Sequence, residues 1–189
     1  MSAATFHRRC IIVAAVAACS AGLLAGQGLP AGSVTVAAAD CNAAELRLTV
    51  SGLGVAAGST YYSIDFTNMS GRTCSLEGYP RASFVSAAGG QIGAAAGRDP
   101  VYPVRRVILR PGHAAHARLR VGTPSDYPAP ACRPVTVRWL RVYVPAGQVP
   151  LQRGFAGMTC AVATTRILGV SRVQPGWGIR AVSPGAMGR

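Results

Sequence analysis

Short runs in which every second residue is apolar, each closed by glycine or proline, are the feature that most constrains how this chain folds. Over residues 45–51, Leu46, Leu48 and Val50 alternate with polar neighbours, and residues 59–68 repeat the pattern. There Tyr62, Ile64 and Phe66 fall on one face, Ser63, Asp65 and Thr67 on the other. Successive side chains of an extended strand point to opposite faces, so each run predicts a strand with one face in a core and the other in water. Further along, Cys74 and Leu76 sit on a short strand, Gly78-Tyr79-Pro80 breaks it, and residues 82–85 resume extended structure.

The clearest local signal lies between residues 101 and 121. A strand carrying Val107 and Leu109 runs into Pro111-Gly112, after which Ala115, Ala117, Leu119 and Val121 alternate with His116, Arg118 and Arg120. Two strands joined by a Pro-Gly turn predict a hairpin. Residues 135–144 form the most apolar run, but its phase slips: Val135 and Val137 share one face, then Leu140, Val142 and Val144 the next, which predicts a bulge near Arg138 and Trp139. Residues 160–173 supply a last strand or two. No amphipathic helical pattern appears after residue 40, and strands at intervals of about ten residues predict an all-β fold. The expected architecture is an immunoglobulin-like antiparallel β-sandwich of about seven to nine strands, preceded by a signal-peptide helix.

The chain starts with a segment of a different kind. Residues 1–9 carry His7, Arg8 and Arg9 without an acid, and an apolar stretch of 17 residues, 10–26, follows. That order is a charged n-region and an h-region, and Ala37-Ala38-Ala39 ahead of Asp40 offers the small side chains a signal peptidase needs. Residues 1–39 are therefore read as a secretory leader cut before Asp40, residues 40–173 as the β-sandwich domain, and residues 174–189 as a loosely ordered Gly/Pro-rich tail. Two other readings stay open. The apolar stretch is near the shortest that spans a bilayer, although alanine and glycine make it a weak anchor. Val16-Ala17-Ala18-Cys19 resembles a lipobox, in which Cys19 would be acylated and tether the protein to a membrane.

Of six cysteines, Cys10 and Cys19 leave with the leader, and Cys41, Cys74, Cys132 and Cys160 remain. Four cysteines in an oxidising compartment predict two disulfides, for which three connectivities exist. Sequential pairing, Cys41 to Cys74 and Cys132 to Cys160, joins strands that can be near neighbours. No CxxC or CxxH spacing supports a metal site, and no cofactor is expected.

All 19 basic residues are arginine, against six acids, and removal of Arg8 and Arg9 leaves a net charge of +11. A G- and C-rich gene is enough to write arginine for lysine. Whatever its origin, the charge favours anionic surfaces such as wall polymers or lipid head groups. Nucleic acid is a poor candidate, because an exported chain seldom meets it. Arg105, Arg106, Arg110, Arg118 and Arg120 occupy the two strands of the predicted hairpin and mark an expected anion-binding face, against the plainer reading of a solvated basic surface.

Catalytic machinery is not legible. Past the leader only His113 and His116 remain as imidazole bases, no GxSxG elbow is present, and the carboxylates are scattered. The chain is read as no enzyme, with neither catalytic nor metal-binding residues.

Phe66-Thr67-Asn68-Met69-Ser70 followed by Cys74-Ser75-Leu76-Glu77-Gly78-Tyr79-Pro80 resembles the F-T-N-x-S and C-x-L-x-G-Y-P signature of exported actinobacterial proteins grouped as a domain of unknown function, number forty-two thirty-two. Gln91-Ile92-Gly93, Leu109-Arg110-Pro111-Gly112, Cys132 and residues 140–145 extend the resemblance over about residues 41–160. The resemblance implies a secreted or lipid-anchored envelope protein with an immunoglobulin-like sandwich. It supplies no catalytic residues. Physically, Gly78 and Pro80 set a turn, and Tyr79 is expected to bury its ring while its hydroxyl bonds nearby backbone. The resulting expectation is a cell-envelope or extracellular binding module whose partner is an anionic wall polymer, a lipid surface or an envelope protein. The alternatives are a purely structural envelope protein and, last, an enzyme.

Overall fold

A computed structural model of the chain describes residues 37–178. In chain order the strands are β1 (Leu46–Ala56), β2 (Ser59–Asn68), β3 (Cys74–Glu77), β4 (Arg81–Val85), β5 (Gln91–Ile92), β6 (Gly97–Arg98), β7 (Arg106–Leu109), β8 (Ala114–Gly122), β9 (Pro134–Tyr143), β10 (Pro150–Cys160), β11 (Leu168–Val170) and β12 (Gln174–Pro175). A single helical turn, α1 (Ala129–Cys132), lies in the Pro-rich connection after β8. Eight of the strands have four or more residues, within the number expected, and the other four are fragments of two or three. No helix among the described residues is long and apolar enough to cross a membrane.

The protein is an all-β sandwich. One sheet runs β1-β2-β8-β11-β6, with β12 also paired to β8; a second runs β10-β9-β4-β5; β3 and β7 form a two-stranded sheet. Pairing is antiparallel except between β11 and β6, which are parallel. The first sheet contributes Leu48, Ile64, Phe66, Ala117 and Leu119 to a continuous core, and the second contributes Phe84, Leu140, Val142 and Phe155. Phe155 joins the two layers, its ring centroid 4.8 Å from both Tyr62 and Phe84. The alternating runs thus find their core faces: Ile64, Phe66, Leu119 and Leu140 have no solvent contact.

The predicted hairpin does not form. β7 pairs with β3 and β8 pairs with β2, so the two strands around Pro111-Gly112 belong to different sheets. The reason is Asn68, the last residue of β2. Its backbone N–H donates to the His113 carbonyl, its carbonyl accepts from Gly112, and its side-chain amide donates to the Leu109 carbonyl at 3.0 Å. These bonds take up the polar groups of the corner, while Val107 and Leu109 turn into the core beside Leu76.

A second departure concerns the outer face of β2. Ser63, Asp65 and Thr67, expected in water, are all buried. Residues 174–178, assigned by sequence to a loose tail, are the cause for two of them. Gln174 and Pro175 pair with His116 and Ala115 of β8, the chain then folds across the sheet, and the Gly178 N–H donates to the Asp65 carboxylate at 2.8 Å. Asp65 also accepts from the Ser63 hydroxyl at 2.9 Å. The rest of the expected tail, residues 179–189, lies outside the described residues.

The phase slip in residues 135–144 is present: Val137 and Leu140 are buried, and Arg138 and Trp139 between them are both exposed. The register shift that absorbs it is recorded on the partner strand, where Gly154 opposes Trp139 and Gly157 opposes Val137. Two residues of β10, Phe155 and Ala156, therefore stand opposite Arg138 alone.

Disulfides link Cys41 to Cys74 and Cys132 to Cys160, the sequential pairing. Around the first, the Cys41 N–H donates to the Ser75 carbonyl and the Ser75 N–H to the Ala39 carbonyl, while the Ser75 hydroxyl and Arg106 both donate to the Ala38 carbonyl. Ala38 and Ala39 are thus bonded into the folded unit, although cleavage before Asp40 would remove them.

Candidate functional site

The five arginines singled out by sequence do not share a face. Arg105, Arg106 and Arg110 sit on or beside β7 of the two-stranded sheet, and Arg118 and Arg120 on β8 of the large one. Two of the five already have carboxylate partners. Arg106 Nε lies 3.3 Å from Glu77 and its Nη2 3.7 Å from Asp40, and Arg120 Nε lies 3.4 Å from Asp99 in a partly buried pair. Arg118 is half-buried with its guanidinium 5.4 Å from the Tyr61 ring centroid. Arg105 and Arg110 remain exposed.

A different basic surface lies on the β10-β9-β4-β5 sheet, and sequence reasoning missed it. β9 carries Trp139, Arg141 and Tyr143 at alternate positions, which places all three on one face. In register, Tyr143 stands opposite Arg81 of β4 and Pro150 of β10, and Arg141 opposite Ser83 and Gln152. The Arg81 guanidinium rests 4.3 Å from the Tyr143 ring centroid, a stacked cation–π distance, and donates to the Gly147 carbonyl at 2.8 Å. Arg141 lies 5.9 Å from the same ring and reaches across β4 to the Gly89 carbonyl and the Gln91 side chain of β5, at 3.4 Å each. That crossing explains why Ser83 and Val85, on the outer face of β4, are buried. The guanidinium planes are held down on the sheet rather than projecting from it. Trp139, 40% exposed, continues the surface next to the exposed Arg138, whereas Arg153, also exposed, stands opposite the buried Leu140 and so belongs to the other side of the edge strand β10.

None of the six acids lies on this sheet. Asp40, Glu45 and Glu77 cluster at the Cys41–Cys74 end, Asp65 is on β2, Asp99 follows β6, and Asp126 precedes α1. Among the described residues fifteen arginines are present, and only Arg72, Arg106 and Arg120 have a carboxylate within 4.0 Å. The other twelve are not neutralised locally.

Glu45 shows what a paired charge looks like here. Its carboxylate takes the Arg72 Nε–H at 2.6 Å and the Asn42 N–H at 2.9 Å, and the Arg72 bond above all holds it below the usual carboxylate range. The same pair raises Arg72, and burial raises the Tyr62 phenol.

His113 is exposed, and His116 Nδ1 lies 3.0 Å from the Gly176 carbonyl under the C-terminal segment. Tyr79 of the Gly78-Tyr79-Pro80 turn is half-buried with the Arg98 guanidinium 5.5 Å from its ring centroid, so among the described residues its partner is a cation rather than backbone. Gly78 supplies a φ of 105°, and its carbonyl accepts from Val173, tying the turn to the chain beside β8. Cys19 lies outside the described residues.

Fold and cross-links define the class: a two-disulfide β-sandwich with a carboxylate-free, arginine- and aromatic-bearing sheet face. A family model described as a domain of unknown function (DUF4232) matches residues 41–174, and the chain belongs to that family. No curated protein matches the chain.

Proposed function

We propose that this chain is an exported, non-catalytic domain of the cell envelope or extracellular space, and that it binds an anionic envelope component through its arginines. The observation that carries the reading is the twelve arginines that, among the described residues, have no carboxylate partner, four of which, Arg81, Arg138, Arg141 and Arg153, stand on a sheet without an acid. Like charges on one surface repel, so an excess of this kind weakens the fold unless a polyanion or counterions screen it. Export is supported by the leader-like residues 1–39 and by two disulfides, which persist where thiols are oxidised. We read the strand order as immunoglobulin-like, with β1-β2-β8 in the place of strands A, B and E, and β10-β9-β4 in the place of G, F and C. Neither disulfide joins the B and F positions, where antibody domains have theirs.

Co-sedimentation of the purified, oxidised protein with isolated cell walls tests the reading. Retention at low salt that falls steeply as sodium chloride rises toward 0.5 M is the expected result. Equal retention at all salt concentrations, or none at low salt, would contradict it.

A further inference from the structure

Building on that reading, we infer that the outer face of the β10-β9-β4-β5 sheet is a binding platform for a glycan bearing anionic groups, with Trp139 receiving a sugar ring and Arg81 and Arg141, the former seated on Tyr143, receiving the charges. Three observations converge. First, the groups repeat at strand spacing: Trp139, Arg141 and Tyr143 recur along β9 at about 7 Å, and Arg81 and Gln152 flank them on neighbouring strands about 5 Å away. An extended polymer of rings can lie along such a surface, whereas a compact ligand needs a concave one.

Second, the guanidinium groups are preorganised. Arg81 is stacked on Tyr143 and bonded to Gly147, and Arg141 is bonded to Gly89 and Gln91. After its bond to Gly147, Arg81 keeps four of its five N–H donors; Arg141, whose Nε is buried, keeps one on each terminal nitrogen for carboxylate or phosphate oxygens. Side chains already fixed lose little further freedom when a ligand arrives.

Third, the face mixes donors with groups that both donate and accept. Gln152 is exposed directly opposite Arg141, and its amide offers two N–H donors and a carbonyl. Sugar hydroxyls use both kinds of partner. A phosphodiester backbone has acceptors only, and a lipid surface would select side chains that insert between acyl chains. The combination of aromatic plane, amide and fixed guanidinium therefore favours an acidic glycan over nucleic acid or an anionic membrane.

The test compares the intact oxidised protein with Trp139→Ala, with Arg81→Gln/Arg141→Gln, and with Arg105→Gln/Arg110→Gln as an equal-charge control away from the sheet. The probes are polygalacturonate, inorganic polyphosphate, a single-stranded oligodeoxynucleotide and phosphatidylglycerol vesicles. Near-ultraviolet circular dichroism confirms that each variant is folded. The inference predicts that Trp139→Ala weakens polygalacturonate binding roughly three- to tenfold and leaves polyphosphate binding unchanged. It also predicts that Arg81→Gln/Arg141→Gln weakens polygalacturonate binding more than the control pair does. Insensitivity of polygalacturonate binding to Trp139, equal effects of the two arginine pairs, or tighter binding to the oligonucleotide or the vesicles would overturn it. Retention on polyphosphate in those cases leaves the broader polyanion reading standing; failure of the wild type to bind any of the four at low salt removes both.

Discussion

Asn68 holds three segments together from one buried position. Its Oδ1 accepts from the Ser70 N–H and hydroxyl, and its Nδ2 donates to the carbonyls of Arg72 and Leu109. The F-T-N-x-S part of the family signature is thereby a structural device: Phe66 fills the core, Asn68 closes the corner, and Ser70 completes the turn toward Cys74. Asn68→Ala leaves two carbonyls without this donor and is expected to cost about 2–4 kcal/mol in urea denaturation. Gly93 is constrained in a different way. It has a φ of 68°, and a Cβ there would collide with the Cys160 carbonyl oxygen. Gly93→Ala is expected to lower the denaturation midpoint without altering the slope. Glu45 sets an acid limit on the Cys41–Cys74 end. Its folded value is lowered below 4.5, so the Arg72 pair contributes fully above that and is lost as pH falls through the lowered value. In Glu45→Gln the stability-versus-pH curve should flatten in that acid window and match the wild-type slope above it.

At the scale of elements, the segment 174–178 decides more than its length suggests. It supplies β12 and covers Ser63 and Asp65 from the far end of the chain. Deleting residues 174–189 should expose the Asp65 carboxylate and the outer face of β2, with a loss of about 1–3 kcal/mol and faster amide exchange in β2 and β8. Reduction of Cys132–Cys160, which closes a loop across 28 residues, should cost about 3–4 kcal/mol in the chain-entropy account. Most of the long strands were legible because alternation is local, and so was the Cys41–Cys74 pair, whose partners flank the first two strands; β10 was not, because the register shift between Gly154 and Gly157 breaks its period of two. Pairing was not. The Pro111-Gly112 turn has a hairpin's composition, but what decides its geometry is Asn68, more than forty residues earlier. The polar face of β2 read as solvated because its cover lies 113 residues away.

Across the whole molecule, the excess of arginine was plain in the sequence, but its arrangement was not. Arg105, Arg106, Arg110, Arg118 and Arg120 are close in sequence and divided between two sheets, while Arg81 and Tyr143 are distant in sequence and stacked. The Trp139, Arg141 and Tyr143 alternation was the available clue, and only the β4–β9 register turns it into a surface. The amino-terminal end of the described residues bears on where the proposed leader would be cut. Mass spectrometry of the native protein should find a terminus at or before Ala38 if the bonds from Ser75 and Arg106 are kept in the mature fold.

The claim on which the functional account depends is that the unpaired arginines, above all those of the acid-free sheet, attract a polyanion. The most direct measurement is the salt concentration at which the oxidised protein elutes from an immobilised anionic polysaccharide, beside a variant with Arg81, Arg138, Arg141 and Arg153 all changed to glutamine. The account predicts retention of the wild type at low ionic strength and elution of the variant at clearly lower salt. Elution of both at the same salt, or passage of the wild type without retention, would contradict it.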